Sequence, residues 1–317
     1  MQSLLLLVAG IFVLAKSAGW LIDGALIIGR RYRLSPLFLG LTIVAAGTSA
    51  PEFAVNITAA ARGLTGLSVG NVLGSNIANI LLVLGIGALI YPIHVIRATV
   101  RIGIPLTLFA TVFVLLLGQE HWGDPAAFQG IARLEGVMLL FGFPLYAFYE
   151  YGIGREARVS TESRLQDGFS LALIAVLAGI IGLAVSANLI VNAAGSIIAR
   201  FNLSQELVGI TLVAIGTSLP ELATTVTAVM KRNHQLVVGN IIGSNLFNLL
   251  AVLGVSSIVN PLPFDNAQFE DLIFVGAASF VLWLVLAVQP RPALRRLHGV
   301  MFLVLYVTYL SYVAWRG

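Results

Sequence analysis

Apolar residues fill this chain in long runs, and polar residues are confined to the connections between them. Ten runs stand out, over roughly 3–29, 36–61, 67–91, 102–118, 131–151, 169–199, 206–230, 236–260, 271–288 and 298–315. A helix needs about 20 mostly apolar residues to cross a hydrocarbon core of about 30 Å, so each run predicts one transmembrane helix. The connections are short except for 152–168, which holds three Arg and three acidic residues between Gly152 and Asp167 and reads as a solvated linker. The stretch from Met1 to Trp20 looks like a secretory leader in its apolar run followed by small residues. A leader starts basic, however, and the first Lys here is Lys16.

Composition fits a lipid surrounding. Of 317 residues, 58% are hydrophobic and 10% charged, against about a quarter charged in a soluble domain. That leaves too little polar surface for a water-facing protein of this size. The net charge of +4 comes from Arg scattered between apolar runs, with no basic patch interleaved with aromatics, so no nucleic acid partner is expected. The absence of Cys removes disulfides, thiolate metal sites and cysteine nucleophiles.

Basic residues also give an orientation. With the N-terminus outside, 13 Lys/Arg fall in cytoplasmic connections, among them Arg30, Arg31, Arg33, Arg97, Arg101, Arg155, Lys231 and Arg291. Only four, Arg62, Arg133, Arg200 and Arg316, fall on the outer side. The excess of basic residues inside predicts both termini outside and the 152–168 linker in the cytoplasm. No organelle address is evident, so an integral plasma (inner) membrane is the expected location.

Sliding the chain by 169 residues brings its halves into register. Gly47-Thr-Ser-Ala-Pro-Glu52 meets Gly216-Thr-Ser-Leu-Pro-Glu221, and Gly70-Asn-Val-Leu-Gly-Ser-Asn76 meets Gly239-Asn-Ile-Ile-Gly-Ser-Asn245. Between 40–85 and 209–254, 24 of 46 positions are identical, which makes this a genuine internal repeat. The first run matches an internal one (Ser17-Ala18 meets Ser186-Ala187), so it is expected to be a retained helix. Each half, 1–151 and 169–317, has five runs. An odd number inserts the second half upside down relative to the first. The predicted fold is therefore all-α integral membrane, ten transmembrane helices as two inverted five-helix repeats with broken helices at the midplane. That architecture belongs to secondary transporters, whose site lies where the repeats meet.

Glu52 and Glu221 are the acids set deep in apolar runs at equivalent positions. A charge at mid-bilayer costs about 2.5–3.5 kcal/mol on insertion scales and normally marks function. Two carboxylates meeting between repeats would offer negative charge and hard oxygens. Calcium takes about 6–8 such oxygens, and sodium accepts similar ones in smaller number. Helical spacing brings Thr48 and Ser49 near Glu52, and Thr217 and Ser218 near Glu221. Pro51 and Pro220 lack an N–H, so the carbonyls of Gly47 and Gly216 lose their helical donor and the helices should break there. Ser75 with Asn79, and Ser244 with Asn248, form i,i+4 pairs of neutral oxygen groups in the next helices.

Structural readings stand beside these. Ser-x-Pro-Glu also makes a helix start with Ser as cap, and both roles are expected together. The Gly-x-x-x-Gly pairs at 70 and 74 and at 239 and 243 read as close helix contacts. The Asn and Ser residues among them are open to bonding neighbouring helices. Lys16 and Asp23 have no charged counterparts in the second half and read as a mutual pair or as a gating element. Glu135 and Glu150 lie near the ends of their run and are expected to reach water. The four His, at 94, 121, 234 and 298, are remote from the motifs. Two glycosylation patterns, at Asn56 and Asn202, fall in or against apolar runs.

At its repeated motifs the chain resembles the calcium/cation antiporter superfamily, the sodium/calcium exchangers of prokaryotic type, over essentially its whole length. The resemblance implies a core of four broken helices with overlapping Ca²⁺ and Na⁺ sites. Glu52 and Glu221 would be the carboxylate ligands. Thr48, Ser49, Thr217, Ser218, Ser75 and Ser244 would give backbone or side-chain oxygens, and Ala45 and Ala214 carbonyls, with Asn79 and Asn248 beside the central position. The first spans of the two halves would slide as a gate. Some members carry Asp where this chain has Asn248, which bears on stoichiometry, K⁺ dependence and proton sensitivity.

The expected function is antiport of Ca²⁺ against Na⁺ by alternating access, with no enzymatic activity, no cofactor and no obligatory protein partner besides the lipid bilayer. A proton-coupled exchanger of the same fold, for Ca²⁺ or another divalent cation, is the alternative. An intramembrane hydrolase built on Ser49 or Ser218 has no His to serve as base. A non-transporting sensor would show ligand stabilisation without flux.

Overall fold

A computed structural model of the protein describes residues 2–32, 34–119, 128–154, 169–198 and 214–316. Lipid offers no hydrogen bonds to a backbone, so the apolar runs fold as helices that satisfy their own peptide groups. In chain order these are α1 (Gln2–Tyr32), α2 (Pro36–Thr48), α3 (Ala50–Ala61), α4 (Thr65–Ile90), α5 (Thr99–Gly118) and α6 (Arg133–Gly154). There follow α7 (Phe169–Ile198), α8 (Ala214–Thr217), α9 (Leu219–Met230), α10 (His234–Val259), α11 (Asn266–Ala287) and α12 (Arg296–Arg316).

Among the described residues, seven helices are long and apolar enough to cross a membrane: α1, α4, α5, α7, α10, α11 and α12. The bent pair α2–α3 makes an eighth. The protein is an all-helical, multi-pass membrane protein. Of the expected span 206–230, residues 206–213 lie outside the described residues, as do most of the 152–168 linker, Asn202 and His121.

Burial sorts the helices. The most apolar stretch of α10 is 94% buried and that of α4 is 72% buried, against 28% for those of α7 and α12. The two helices that carry the Gly-Asn…Gly-Ser-Asn motifs are thus the centre of the molecule, and the plainly apolar helices surround them. Close packing needs glycine at the crossings. A Cβ on Gly243 of α10 would sit 2.6 Å from the Leu41 carbonyl oxygen, and one on Gly24 of α1 would sit 2.6 Å from that of Ala172 in α7.

Sequence bounds and helix bounds differ most before α11, which begins at Asn266 and not near 271. Asp265 accepts from the N–H groups of Ala267 and Gln268, and the Gln268 side chain accepts from the Asp265 N–H at 2.7 Å. This reciprocal cap extends the helix into its polar approach.

Local elements recur at a constant displacement of 169. Helix Ala50–Ala61 matches Leu219–Met230, Thr65–Ile77 matches His234–Leu246, and Leu84–Ile90 matches Leu253–Val259. Between the last two pairs lie matching π turns, Ala78–Val83 and Phe247–Val252. Among the described residues, four two-residue strands, which the sequence did not announce, tie the halves together. β1 (Ile93–His94) pairs antiparallel with β4 (Ala293–Leu294), and β2 (Gly130–Ile131) with β3 (Leu262–Pro263).

Candidate ion-binding site

The chain breaks its helix at Ser49. Its backbone (φ −84°, ψ 6°) leaves the helical region, and α2 meets α3 at 48°. Pro51 follows, unable to return an N–H to the preceding turn. Ser218 repeats the geometry (φ −84°, ψ 2°) ahead of Pro220. Each break places a glutamate in the first turn of the next helix, Glu52 in α3 and Glu221 in α9. Free peptide N–H groups and the helix dipole favour a carboxylate there.

The expected serine caps are not made. Neither the Ser49 nor the Ser218 hydroxyl bonds the backbone of the helix it precedes. Ser49 instead donates to Glu221 Oε1 at 3.0 Å, across to the other half of the chain. The capping pattern was legible but its hydroxyl is spent on the opposite glutamate.

Both glutamates are fully shielded, at 1% and 0% exposure. Ser244 adds a second donor to Glu221 Oε1 at 3.4 Å. The Thr48 hydroxyl lies 3.4 Å from that of Ser244 and donates to Asn240 Oδ1 at 3.3 Å. The second half mirrors it: the Thr217 hydroxyl lies 3.3 Å from that of Ser75 and donates to Asn71 Oδ1 at 3.2 Å. Thr217 also approaches Glu52, and the two carboxylates are near enough to repel one another.

Beside this lies a ring of asparagines. Asn76 Nδ2 donates to the Asn245 carbonyl at 3.2 Å, and Asn245 Nδ2 donates to the Asn76 carbonyl at 3.4 Å. Asn79 donates to Asn245 Oδ1 and Asn248 to Asn76 Oδ1, each at 3.1 Å. Every bond has its counterpart when the halves exchange. Asn79 and Asn248 both sit in the π turns, a distortion frequent at functional sites that sequence periodicity does not reveal.

The buried oxygens left over are informative. Both oxygens of Glu52, Oε2 of Glu221, Oδ1 of Asn79, Oδ1 of Asn248 and Oγ of Ser218 have no hydrogen-bond partner. Leaving one such group unsatisfied costs about 1–3 kcal/mol, so nature seldom clusters them without a purpose. A hard cation would satisfy several at once, and carboxylate, hydroxyl and amide oxygens are the donor set calcium and sodium take. Among the described residues no three His, Cys, Asp or Glu side chains converge. Among the described residues the site therefore offers two carboxylates among neutral oxygens.

Each predicted site residue can be placed. Thr48, Ser49, Glu52, Ser75, Asn79, Thr217, Ser218, Glu221, Ser244 and Asn248 are all buried. The Ala45 carbonyl already accepts from the Ser49 N–H at 2.9 Å and from the Thr48 hydroxyl at 3.2 Å. Ala214 begins α8. Asn71, Asn240, Asn76 and Asn245 join the network beyond the expected set. Their signal was their identity in both copies of the motif.

One further expectation changes. Lys16 and Asp23 are not a pair: Asp23 binds Lys231 at 2.5 Å, while Lys16 lies over the Phe12 ring. Lys16, about two turns away on the same helix, was the nearer candidate in sequence, but Lys231 at the end of the neighbouring α9 reaches Asp23 instead. Asn56 is fully buried and donates to the Glu52 carbonyl at 2.7 Å, so its glycosylation pattern is inaccessible.

Comparison with known proteins identifies the family. A family model described as "sodium/calcium exchanger protein" matches residues 2–152 and 171–315. A protein named as antiporter CaxA from Alkalimonas amylolytica is 38% identical, over 96% of this chain and 98% of its own. Inner membrane protein YrbG of Escherichia coli is 32% identical, over 98% and 96%. A solved structure of the sodium-calcium exchanger NCX_Mj superposes with a TM-score of 0.83 at 31% identity, covering 98% of both chains. This family consists of membrane transporters and not of enzymes, and the chain belongs to it, as a sodium/calcium exchanger family protein.

Proposed function

We propose that the protein exchanges Ca²⁺ for Na⁺ across the membrane, with Glu52 and Glu221 as the shared carboxylate ligands. The observation that carries this reading is the pair of fully buried glutamates whose oxygens are largely unsatisfied, set among Ser, Thr and Asn oxygens contributed by both halves. Thr48, Ser49, Ser75, Thr217, Ser218 and Ser244 line the ion path in this account, Asn79 and Asn248 flank its centre, and the backbones at Ala45 and Ala214 bound it. The name of the related NCX_Mj supports the choice of ions. No cofactor or partner protein is called for.

The mechanism requires alternating access, and for that we infer two inverted five-helix repeats, 1–151 and 169–317, joined by a cytoplasmic linker at 152–168. The recurrence of elements at a spacing of 169 and the reciprocal Asn76–Asn245 bonds support this. The Lys/Arg distribution supports termini outside, and the name of the related YrbG supports the inner membrane. The test is transport by Glu52→Gln and Glu221→Gln in proteoliposomes. Loss of Na⁺-driven Ca²⁺ uptake in folded protein is expected, and full exchange by the double variant would overturn the assignment.

A further inference from the structure

Thr224 lies one turn beyond Glu221 in α9 and is not among the proposed ligands. Its hydroxyl donates to the carbonyls of Pro220 at 2.9 Å and Glu221 at 3.0 Å. It also accepts from Nδ2 of Asn240 in α10 at 3.1 Å. Thr224 and Asn240 are each 1% exposed, so these bonds are shielded from solvent. A hydroxyl has one proton, and here it is spent on backbone oxygens, which can only accept. Lone pairs are what remain, so Thr224 can face only the N–H end of the Asn240 amide.

The other end of that amide sets the state of a proposed ligand. Asn240 Oδ1 accepts from the Thr48 hydroxyl at 3.3 Å. The Ser244 hydroxyl, 3.4 Å from that of Thr48, leads on to Glu221 Oε1. With its proton drawn toward the Asn240 and Ala45 oxygens, Thr48 keeps lone pairs for a cation. Turned over, the amide would donate to Thr48, take up a lone pair and set an N–H against the ion path. The first half has no equivalent lock. At the displacement of 169, Val55 stands where the second half has Thr224. Asn71, the counterpart of Asn240, accepts from Thr217 at 3.2 Å, but its buried Nδ2 has no partner among the described residues.

We propose that Thr224 is a positioning residue for the ion site: it fixes the Asn240 amide so that Thr48 offers an oxygen to a bound cation. Thr224 touches no ion itself and acts through Asn240. The valine at 55 leaves Asn71 unfixed, so the two halves hold their threonines with unequal firmness. The proposal rests on the reading that Thr48 and Glu221 are ligands.

The test is a calcium titration of melting temperature on the full chain in detergent, beside maximal calcium uptake in proteoliposomes. Thr224→Val should raise half-saturating calcium about fivefold, the order of one hydrogen bond, with maximal uptake near that of wild type. A merely structural role would lower stability or maximal uptake and leave half-saturation where it was. Thr224→Ser, which keeps the hydroxyl, should titrate like wild type. So should Thr227→Val, which removes a hydroxyl that among the described residues bonds only within α9. Thr224→Ala leaves the amide equally without an acceptor and replaces Thr224→Val should that variant not fold. A wild-type calcium response that Glu221→Gln abolishes upholds the ion site by itself. If Thr224→Val then titrates like wild type, or Thr224→Ser like Thr224→Val, the positioning role alone is overturned. No calcium response in wild type would overturn both.

Discussion

Ser49 donates to Glu221 Oε1 at 3.0 Å, yet the hydroxyl of its counterpart Ser218 has no partner and leaves Glu52 with two unsatisfied oxygens. Two motifs of near-identical sequence thus hold their glutamates differently. One carboxylate accepts a serine hydroxyl from across the repeats, and the other has Thr217 beside it in place of its serine. An exchanger needs such inequivalence, because at any moment its site must favour one side. The prediction is that Ser49→Ala lowers thermal stability in ion-free detergent by about 1.5–3 kcal/mol, the worth of a hydrogen bond to a charged group. Ser218→Ala removes a buried hydroxyl that has no partner and should not lower it. Equal losses would remove the asymmetry from the account.

The glutamates make the opposite prediction for stability. A buried carboxylate with few hydrogen bonds destabilises the protein that holds it. Glu52→Gln should therefore fold and melt no lower than wild type without ions. Wild type should gain about 2.7 kcal/mol of stability at calcium a hundredfold above its dissociation constant, and Glu52→Gln should gain almost none. Melting curves with and without calcium decide this, and an undiminished calcium shift in the variant would exclude Glu52 as a ligand.

Much of this was legible in the sequence, for identifiable reasons. The membrane helices follow from run length, and the glutamates from being acids in apolar runs at repeated positions. The asparagine ring was half visible: Asn76 and Asn245 recur in the motif, but nothing in helical spacing says that each amide reaches the other's backbone. The π turns at Ala78–Val83 and Phe247–Val252 were invisible, since one extra residue per turn leaves an apolar pattern intact. Asp23 finds Lys231 because tertiary packing, not proximity along α1, sets its neighbours.

The reciprocal bonds between Asn76 and Asn245 are cooperative by construction. Asn76→Ala also strips the acceptor from Asn248 Nδ2, and Asn245→Ala strips it from Asn79 Nδ2. Measured as a double-mutant cycle, the two substitutions should show a coupling energy of about 1–3 kcal/mol, as expected for members of one network. Additive effects would mean that the ring does not hold the halves together.

Glycine at the α2–α10 crossing gives a steric test. Gly243→Ala places a methyl 2.6 Å from the Leu41 carbonyl oxygen and 2.8 Å from Ala45 Cβ. It should destabilise by about 1–3 kcal/mol, the usual effect of overpacking. Gly276→Ala, whose nearest neighbour is Thr111 at 3.8 Å, should be tolerated. Thermal unfolding of both variants separates a real crossing from an incidental one.

The most direct test of the central claim is uptake of radioactive calcium by proteoliposomes loaded with Na⁺ and diluted into Na⁺-free buffer, beside a sample given only a pH gradient. Uptake that requires the Na⁺ gradient and collapses with a sodium ionophore is the predicted result. Uptake driven by the pH gradient alone would contradict sodium coupling and assign the two glutamates to a proton-driven exchanger.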